Sequence, residues 1–311
     1  MIPLRHTARL MDEEKSILLS LLYFDIFHYP LKESEIIEFS PHPLTGTWQS
    51  ALITLIERRI IYSIDGFYLL SDDPGLVARR VAGNQLANRK MKAARIFSKI
   101  VSMFPFVRAV MLSGSISKGY MDKKSDIDYF IITEKNRLWV VRGAMAIFRR
   151  VFLFNSHKYL CTNYFIDSDH LKVGENNIFS AIEASTLLPM YGKKYVSDFQ
   201  AANEWCQAYL PNHKFENRLE DGSGNFFKKV FEKILPARLL DRLDDRFMKK
   251  SISRWKDYYS HSMSEHDFSI AFQSDVYVSR SHPGFYQRKV LSSYNTKIQD
   301  FERLHGISLE I

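Results

Sequence analysis

The sequence predicts an α+β fold in three parts. These are an N-terminal module of helices and a hairpin over residues 1–73, a small mixed β-sheet with flanking helices over 74–175, and a mainly helical region over 176–311. Three observations carry this. Residues 12–60 hold apolar stripes at helical spacing and lead into Asp65-Gly66, a two-residue hairpin signal. Val107–Ser113 and Ile127–Ile132 are apolar runs of strand length joined by a polar linker. From Phe179 onward helical periodicity dominates.

In the first part, Glu14–Phe27 places Ile17, Leu18, Leu21, Leu22 and Phe24 on one helical stripe, which Pro30 ends. Leu31–Phe39 reads as a second short helix, closed by Pro41-His42-Pro43. Thr47–Arg59 reads as a third, with Thr47 as N-cap and Leu52, Leu55, Ile56 and Ile60 facing inward. Ile60–Ile64 and Phe67–Leu70 then flank the turn. Three helices and a hairpin follow the order of a winged helix. In DNA-binding versions the third helix brings cationic or amide side chains to the major groove. Here its first half offers only Gln49 and Ser50, while Arg58 and Arg59 come late. DNA as a partner therefore has little support, and a packing module is an equal reading.

Pro74-Gly75 marks a boundary, and Leu76–Phe104 reads as a long basic helix. Asn136–Phe154 is a basic amphipathic helix, with Lys158–Ile166 a third strand. Helices follow at Phe179–Leu187, Tyr195–Tyr209, Phe226–Leu235 and Arg238–Tyr259, with Gly222-Ser223-Gly224 as a joint. Ser269–Val278 reads as a strand and Pro283–His305 as a final helix.

A hydrophobic content of 46% and a charged content of 25% are ordinary for a globular chain and argue against disorder. Two cysteines, Cys161 and Cys206, fit a reducing cytoplasm better than a disulfide framework. The N-terminus lacks the apolar core of a signal peptide, and no stretch approaches a membrane span, so the expected location is cytoplasmic and no membrane partner is expected. The net charge of +8 is uneven: Lys228–Lys256 holds ten Lys/Arg against four Asp/Glu. Such a surface favours polyanions, though a solvated helical face looks the same in sequence. His261 and His266 are five apart, the wrong spacing for one helical face, which argues against zinc.

The chemistry-bearing stretch is LSGSISKGYMDKKSDIDYFIIT, residues 112–133. Along an extended strand Asp126 and Asp128 point to the same side. Two carboxylates that close repel unless a cation lies between them, and hard oxygen ligands suit Mg²⁺. Gly114-Ser115, ahead of a short helix over Ile116–Tyr120, offers backbone N–H groups and a hydroxyl to phosphate oxygens.

This pattern resembles the polymerase-β-like nucleotidyltransferase superfamily, whose signature is an apolar residue, Gly-Ser or Gly-Gly, and a carboxylate-x-carboxylate strand about a dozen residues on. The overall arrangement resembles its antibiotic and minimal members. The resemblance implies attack of an acceptor hydroxyl on the α-phosphorus of a nucleoside triphosphate, by family habit ATP, with pyrophosphate leaving. It implies Mg²⁺ (or Mn²⁺) ions bridged by Asp126 and Asp128, and a phosphate cradle of Gly114 and Ser115 assisted by Lys118. The expected acceptor is a small molecule or a protein. The family also supplies a third carboxylate from a neighbouring strand, here KYLCTNYFIDSD. If Cys161, Asn163 and Phe165 share a face, that slot holds Asn163, an amide that cannot serve as a base. Asp167, at the strand's end, is then the expected third carboxylate. A winged-helix regulator with an inactive, nucleotide-sensing domain is the alternative.

Overall fold

The computed structural model describes residues 10–215, 219, 226–259, 261, 264–281 and 284–310. The N-terminal module runs α1 (Asp12–Asp25), β1 (Leu31–Lys32), α2 (Glu33–Phe39), α3 (Trp48–Glu57), β2 (Tyr62–Ile64) and β3 (Phe67–Leu69). The strands pair antiparallel in the order β1-β3-β2. Asp65 and Gly66 both adopt positive φ, as a tight hairpin between two twisted strands requires. Two expectations change here. Leu31 and Lys32 leave the second helix to form an edge strand on β3. Thr47 makes no side-chain cap; its hydroxyl donates to Glu13 instead, at 3.1 Å.

Helix α4 (Pro74–Ser102) begins two residues earlier than periodicity indicates. Pro74 needs no N–H in the first turn, and the Asp73 carboxylate accepts from the Gly75 amide at 2.8 Å. There follow β4 (Val107–Ser113), the single turn α5 (Gly114–Ser117), β5 (Asp128–Thr133), α6 (Leu138–Phe152) and β6 (Cys161–Asp167). Next come α7 (Ile178–Ser185), β7 (Leu188–Tyr191) and α8 (Lys193–Ala202), with a 3₁₀ turn over Glu204–Ala208. The chain closes with α9 (Phe226–Ile234), α10 (Ala237–Tyr259), α11 (Glu265–Ala271), β8 (Val278–Arg280) and α12 (Tyr286–His305).

The central sheet has the order β7-β4-β5-β6-β8. All neighbours are antiparallel except β5 and β6, which α6 connects as a crossover. One face carries Tyr129, Ile131 and Phe165 against α4 and α6. The other carries Met111, Phe130 and Ile166, whose cluster continues into α1, α8 and α12 through Ile17, Phe199 and Phe301. The N-terminal module and the C-terminal helices therefore share a core with the sheet.

Strands β7 and β8 are not anticipated at these positions: Ser269–Val278 is mostly α11 and an irregular return. The expected helix Tyr195–Tyr209 breaks at Asn203. Its buried amide accepts from the Val173 N–H and the Trp205 indole and donates to Leu171 and Phe199. Gly222-Ser223-Gly224 and His282-Pro283 lie outside the described residues.

Candidate active site

Strand β4 delivers Ser113 to a turn whose first residue, Gly114, has φ +68°. A Cβ built there would stand 2.7 Å from Asp128 Oδ2 on the neighbouring strand. Only glycine fits this backbone conformation and this approach. Ser113 and Asp128 are direct partners in the β4–β5 ladder, so the turn and the carboxylate are positioned together.

Asp128 is the first residue of β5, and Asp126 precedes the strand. The two remain near enough to interact, although Asp128 and not Asp126 contributes to the cavity wall among the described residues. Burial above all, with the charges of Asp126 and Glu183, raises the Asp128 carboxyl to about 6 against the opposing pull of the Cys161 thiol and Lys118. Asn163 Nδ2 donates to Asp128 Oδ1 at 3.1 Å.

Cys161, paired with Asp128, lies beside it, and burial together with that carboxylate pushes its thiol up to about 12. At Asn163 the ladder slips: Tyr129 pairs with Thr162 but Phe130 with Tyr164, leaving Asn163 as the extra residue. This bulge turns Phe165 to the opposite face, contrary to simple alternation, and stacks Tyr164 on Phe130 with ring centroids 4.7 Å apart.

Asp167 does not join the site. Because β5 and β6 are parallel, Asp128 pairs with the first residue of β6 and Asp167 with Thr133, at the far end of the sheet. Asp167 is buried there and accepts from the Asp169 and His170 amides, both at 3.0 Å, and from the His170 ring at 2.7 Å. Asp169 pairs with Lys135 at 2.7 Å.

Lys118 does reach the site. Its ammonium donates to Glu183 at 2.8 Å and lies 3.3 Å from the Gly114 carbonyl. Its backbone carbonyl accepts the Tyr29 hydroxyl at 2.8 Å, which the Glu35 carboxylate shares at 3.2 Å. Arg80 lies 3.7 Å over the Tyr29 ring, donates to the Pro30 carbonyl at 3.2 Å and pairs with Glu35. The N-terminal module thus braces the turn from behind.

The turn opens on a cavity of about 1130 Å³ that Ser113, Gly114, Ser115, Lys118, Asp128 and Asn163 line on one side. Aromatic residues of α1, the sheet, α7 and α12 line the rest, with Glu175, Glu183 and Arg280 among them. Arg280 pairs with Glu175 at 3.0 Å. Arg288 also reaches the wall. Sequence reasoning missed Glu183 and Glu175, which stand on no motif and reach the site only through α7 and the loop before it.

No group of three His, Cys, Asp or Glu side chains among the described residues is arranged to hold a metal ion. Mg²⁺ does not require one, since it is commonly held by one or two carboxylates with water and substrate phosphates. The Asp126–Asp128 pair, whose mutual repulsion helps raise Asp128, fits that role. No helix among the described residues is long and apolar enough to cross a membrane.

No curated protein and no solved structure matches the chain. Residues 91–176 match the family model of the nucleotidyltransferase domain. That stretch holds Gly114, Ser115, Asp126, Asp128 and Asn163, and the match supports a general nucleotidyl-transfer role, that of a transferase of phosphorus-containing groups.

Proposed function

We propose that the protein transfers a nucleoside monophosphate from a nucleoside triphosphate, with ATP the first donor to try, to the hydroxyl of a small molecule or protein. The observation that carries this is the contact between Gly114 and Asp128. A left-handed glycine turn and a half-buried carboxylate face one another on the wall of a large cavity. In the reaction an oxygen–phosphorus bond forms between acceptor and α-phosphorus. The bond to the leaving pyrophosphate breaks, and the hydroxyl proton passes to solvent water.

Asp126 and Asp128 would hold Mg²⁺ or Mn²⁺, which supplies charge neutralisation for the triphosphate and lowers the pKa of the attacking hydroxyl. Ser115 and the Gly114 backbone would hold the terminal phosphates. Lys118, held over the turn by Glu183, adds positive charge. Asn163 orients Asp128 through its amide and supplies no base. Glu183 takes over the candidacy for a further carboxylate that Asp167 vacates by position.

For the remainder of the chain we propose a winged-helix module up to residue 73 and a catalytic core from 74 to 175, with the following helices closing the cleft. The β1-β3-β2 order and the Asp65-Gly66 hairpin support the first of these. A cytoplasmic location remains part of the proposal. To test the function, labelled triphosphates and Mg²⁺ are incubated with fractionated small molecules and proteins. The expected result is label on an acceptor with wild type and none with Asp126→Ala or Asp128→Ala.

A second reading, a nucleotide-sensing regulator without turnover, is favoured by Asn163 in the position of the third carboxylate. It predicts nucleotide binding without pyrophosphate release, together with a salt-sensitive shift of duplex DNA.

A further inference from the structure

Helices α4 and α6 pack on the face of the sheet opposite the one that lines the active-site cavity. Residues 74–121 and 135–166, which include the whole of both helices, contain no Asp or Glu. Along α4 and its C-cap, Arg89, Lys92, Ile96, Lys99 and Met103 recur every three or four residues as one exposed stripe. Along α6, Ile147, Arg150 and Val151 are exposed at the same spacing. Phe152 and Phe154 stand beside them, 64% and 93% exposed.

The two helices lie side by side, so their outward stripes form one surface. The Phe104 ring, next to Met103, meets Phe148 edge-on at 5.6 Å, and Phe148 lies 4.9 Å from Phe152. Further along, Phe97 stacks on Tyr159 at 5.9 Å. Carboxylates of the neighbouring helices are turned away from solvent cations here. Glu232 of α9 meets Arg108 at 3.0 Å, Asp241 of α10 meets Arg137 at 2.6 Å, and Asp244 accepts from the Val140 amide at 2.8 Å.

Large apolar side chains gathered in the open mark an interaction surface. A second copy of this face is a poor cover, because two basic, acid-free surfaces repel. Nucleic acid would meet the cations, but Ile96, Met103, Ile147 and Val151 offer no ring on which a base could stack. An anionic lipid surface suits both sets at once. Its headgroups meet the lysines and arginines, whose stems lie along apolar surface, while the boundary of the acyl region takes the apolar side chains.

We propose that the α4–α6 face docks on a bilayer containing anionic phospholipid. Phe152 and Phe154 enter the boundary between headgroups and acyl chains, and Arg89, Lys92, Lys99 and Arg150 meet the headgroups. Such a contact lies on the membrane and needs no spanning helix. It replaces the expectation that the protein has no membrane partner. The cavity, on the other face of the sheet, is not covered by it, so the inference stands apart from the nucleotidyl-transfer reading.

Co-sedimentation of the full chain with vesicles tests this, using phosphatidylcholine alone and phosphatidylcholine with about one-third phosphatidylserine. The proteins compared are wild type, Phe152→Ser with Phe154→Ser, Lys99→Glu with Arg150→Glu, and Leu304→Ser. The last removes an equally exposed apolar side chain from α12. Circular dichroism melts verify that each variant is folded. Wild type is expected to bind the anionic vesicles at least about tenfold more tightly than the neutral ones, and more weakly as salt rises. Each double variant should lose at least about tenfold in affinity, and Leu304→Ser should bind as wild type does. Equal binding of wild type to both vesicles, or binding to neither, overturns the proposal. Binding that survives loss of both phenylalanines also overturns it, as adsorption of a basic chain by charge alone. An RNA mobility shift that needs Lys99 and Arg150 but not the phenylalanines, without vesicle binding, assigns the face to nucleic acid and overturns it too.

Discussion

Gly114 faces Asp128 so closely that a single added carbon would lie 2.7 Å from the carboxylate oxygen. The turn and the carboxylate are consequently one unit. Gly114→Ala should bring both a strained left-handed residue, costing about 1–2 kcal/mol, and a displaced Asp128. Activity should fall by about 10²-fold, the usual effect of a misplacement near 1 Å. Pyrophosphate release beside a thermal melt separates the two effects. Full activity in Gly114→Ala would show that this contact is not used.

Asp128 also sets a pH dependence. Its carboxyl titrates at about 6 in the folded chain, chiefly through burial, and near about 4 when unfolded. Between those values the folded state keeps a proton that the unfolded state has lost. Stability from this group therefore falls as pH rises from about 4 to about 6 and is level above. Asp128→Asn should be more stable than wild type at pH 7.5, by on the order of 1–3 kcal/mol. The difference should vanish near pH 4. Calorimetric melts across pH would contradict this if the variant were less stable at neutral pH.

Asp167 provides the converse case. It is buried and satisfies two backbone amides at the sheet end remote from Asp128. Asp167→Ala should cost about 1–3 kcal/mol of stability by stranding those donors. The kcat of the folded variant should stay within about threefold of wild type, as for a substitution away from the site. A loss of catalysis comparable to that of Asp128→Ala would reinstate Asp167 in the mechanism.

The brace behind the turn can be tested at Arg80, which is 2% exposed and pairs with Glu35 beneath Tyr29. Removing one partner of such a pair leaves an uncompensated charge, so Arg80→Ala should destabilise by about 3–5 kcal/mol. Tyr29→Phe deletes only the hydroxyl shared by Lys118 and Glu35. It should raise the KM for the triphosphate with a stability loss of about 0.5–1.5 kcal/mol. An unchanged KM would separate the module from the turn.

Local chemistry made much of this legible in the sequence. Asp65-Gly66 needed only its own backbone preferences to form a hairpin, and Val107–Ser113 only its apolar pattern to form β4. The juxtaposition of Gly114 with Asp128 followed from two adjacent strands. What escaped depends on distant partners. Leu188–Tyr191 becomes a strand because β4 has a free edge, and nothing in LPMY states it. Lys118 meets Glu183 across 65 residues. The bulge at Asn163 reverses the alternation that would have placed Phe165 beside it, and the parallel register of β5 and β6 removes Asp167 from the site.

The most direct test is pyrophosphate release from ATP and the other triphosphates with Mg²⁺, in the presence of a cell extract as acceptor source, comparing wild type with Asp128→Ala. Release by wild type that falls at least about 10³-fold in the variant is predicted, on the scale of removing a principal electrostatic element of catalysis. Equal release by the two proteins, or none by wild type with any triphosphate, would contradict it.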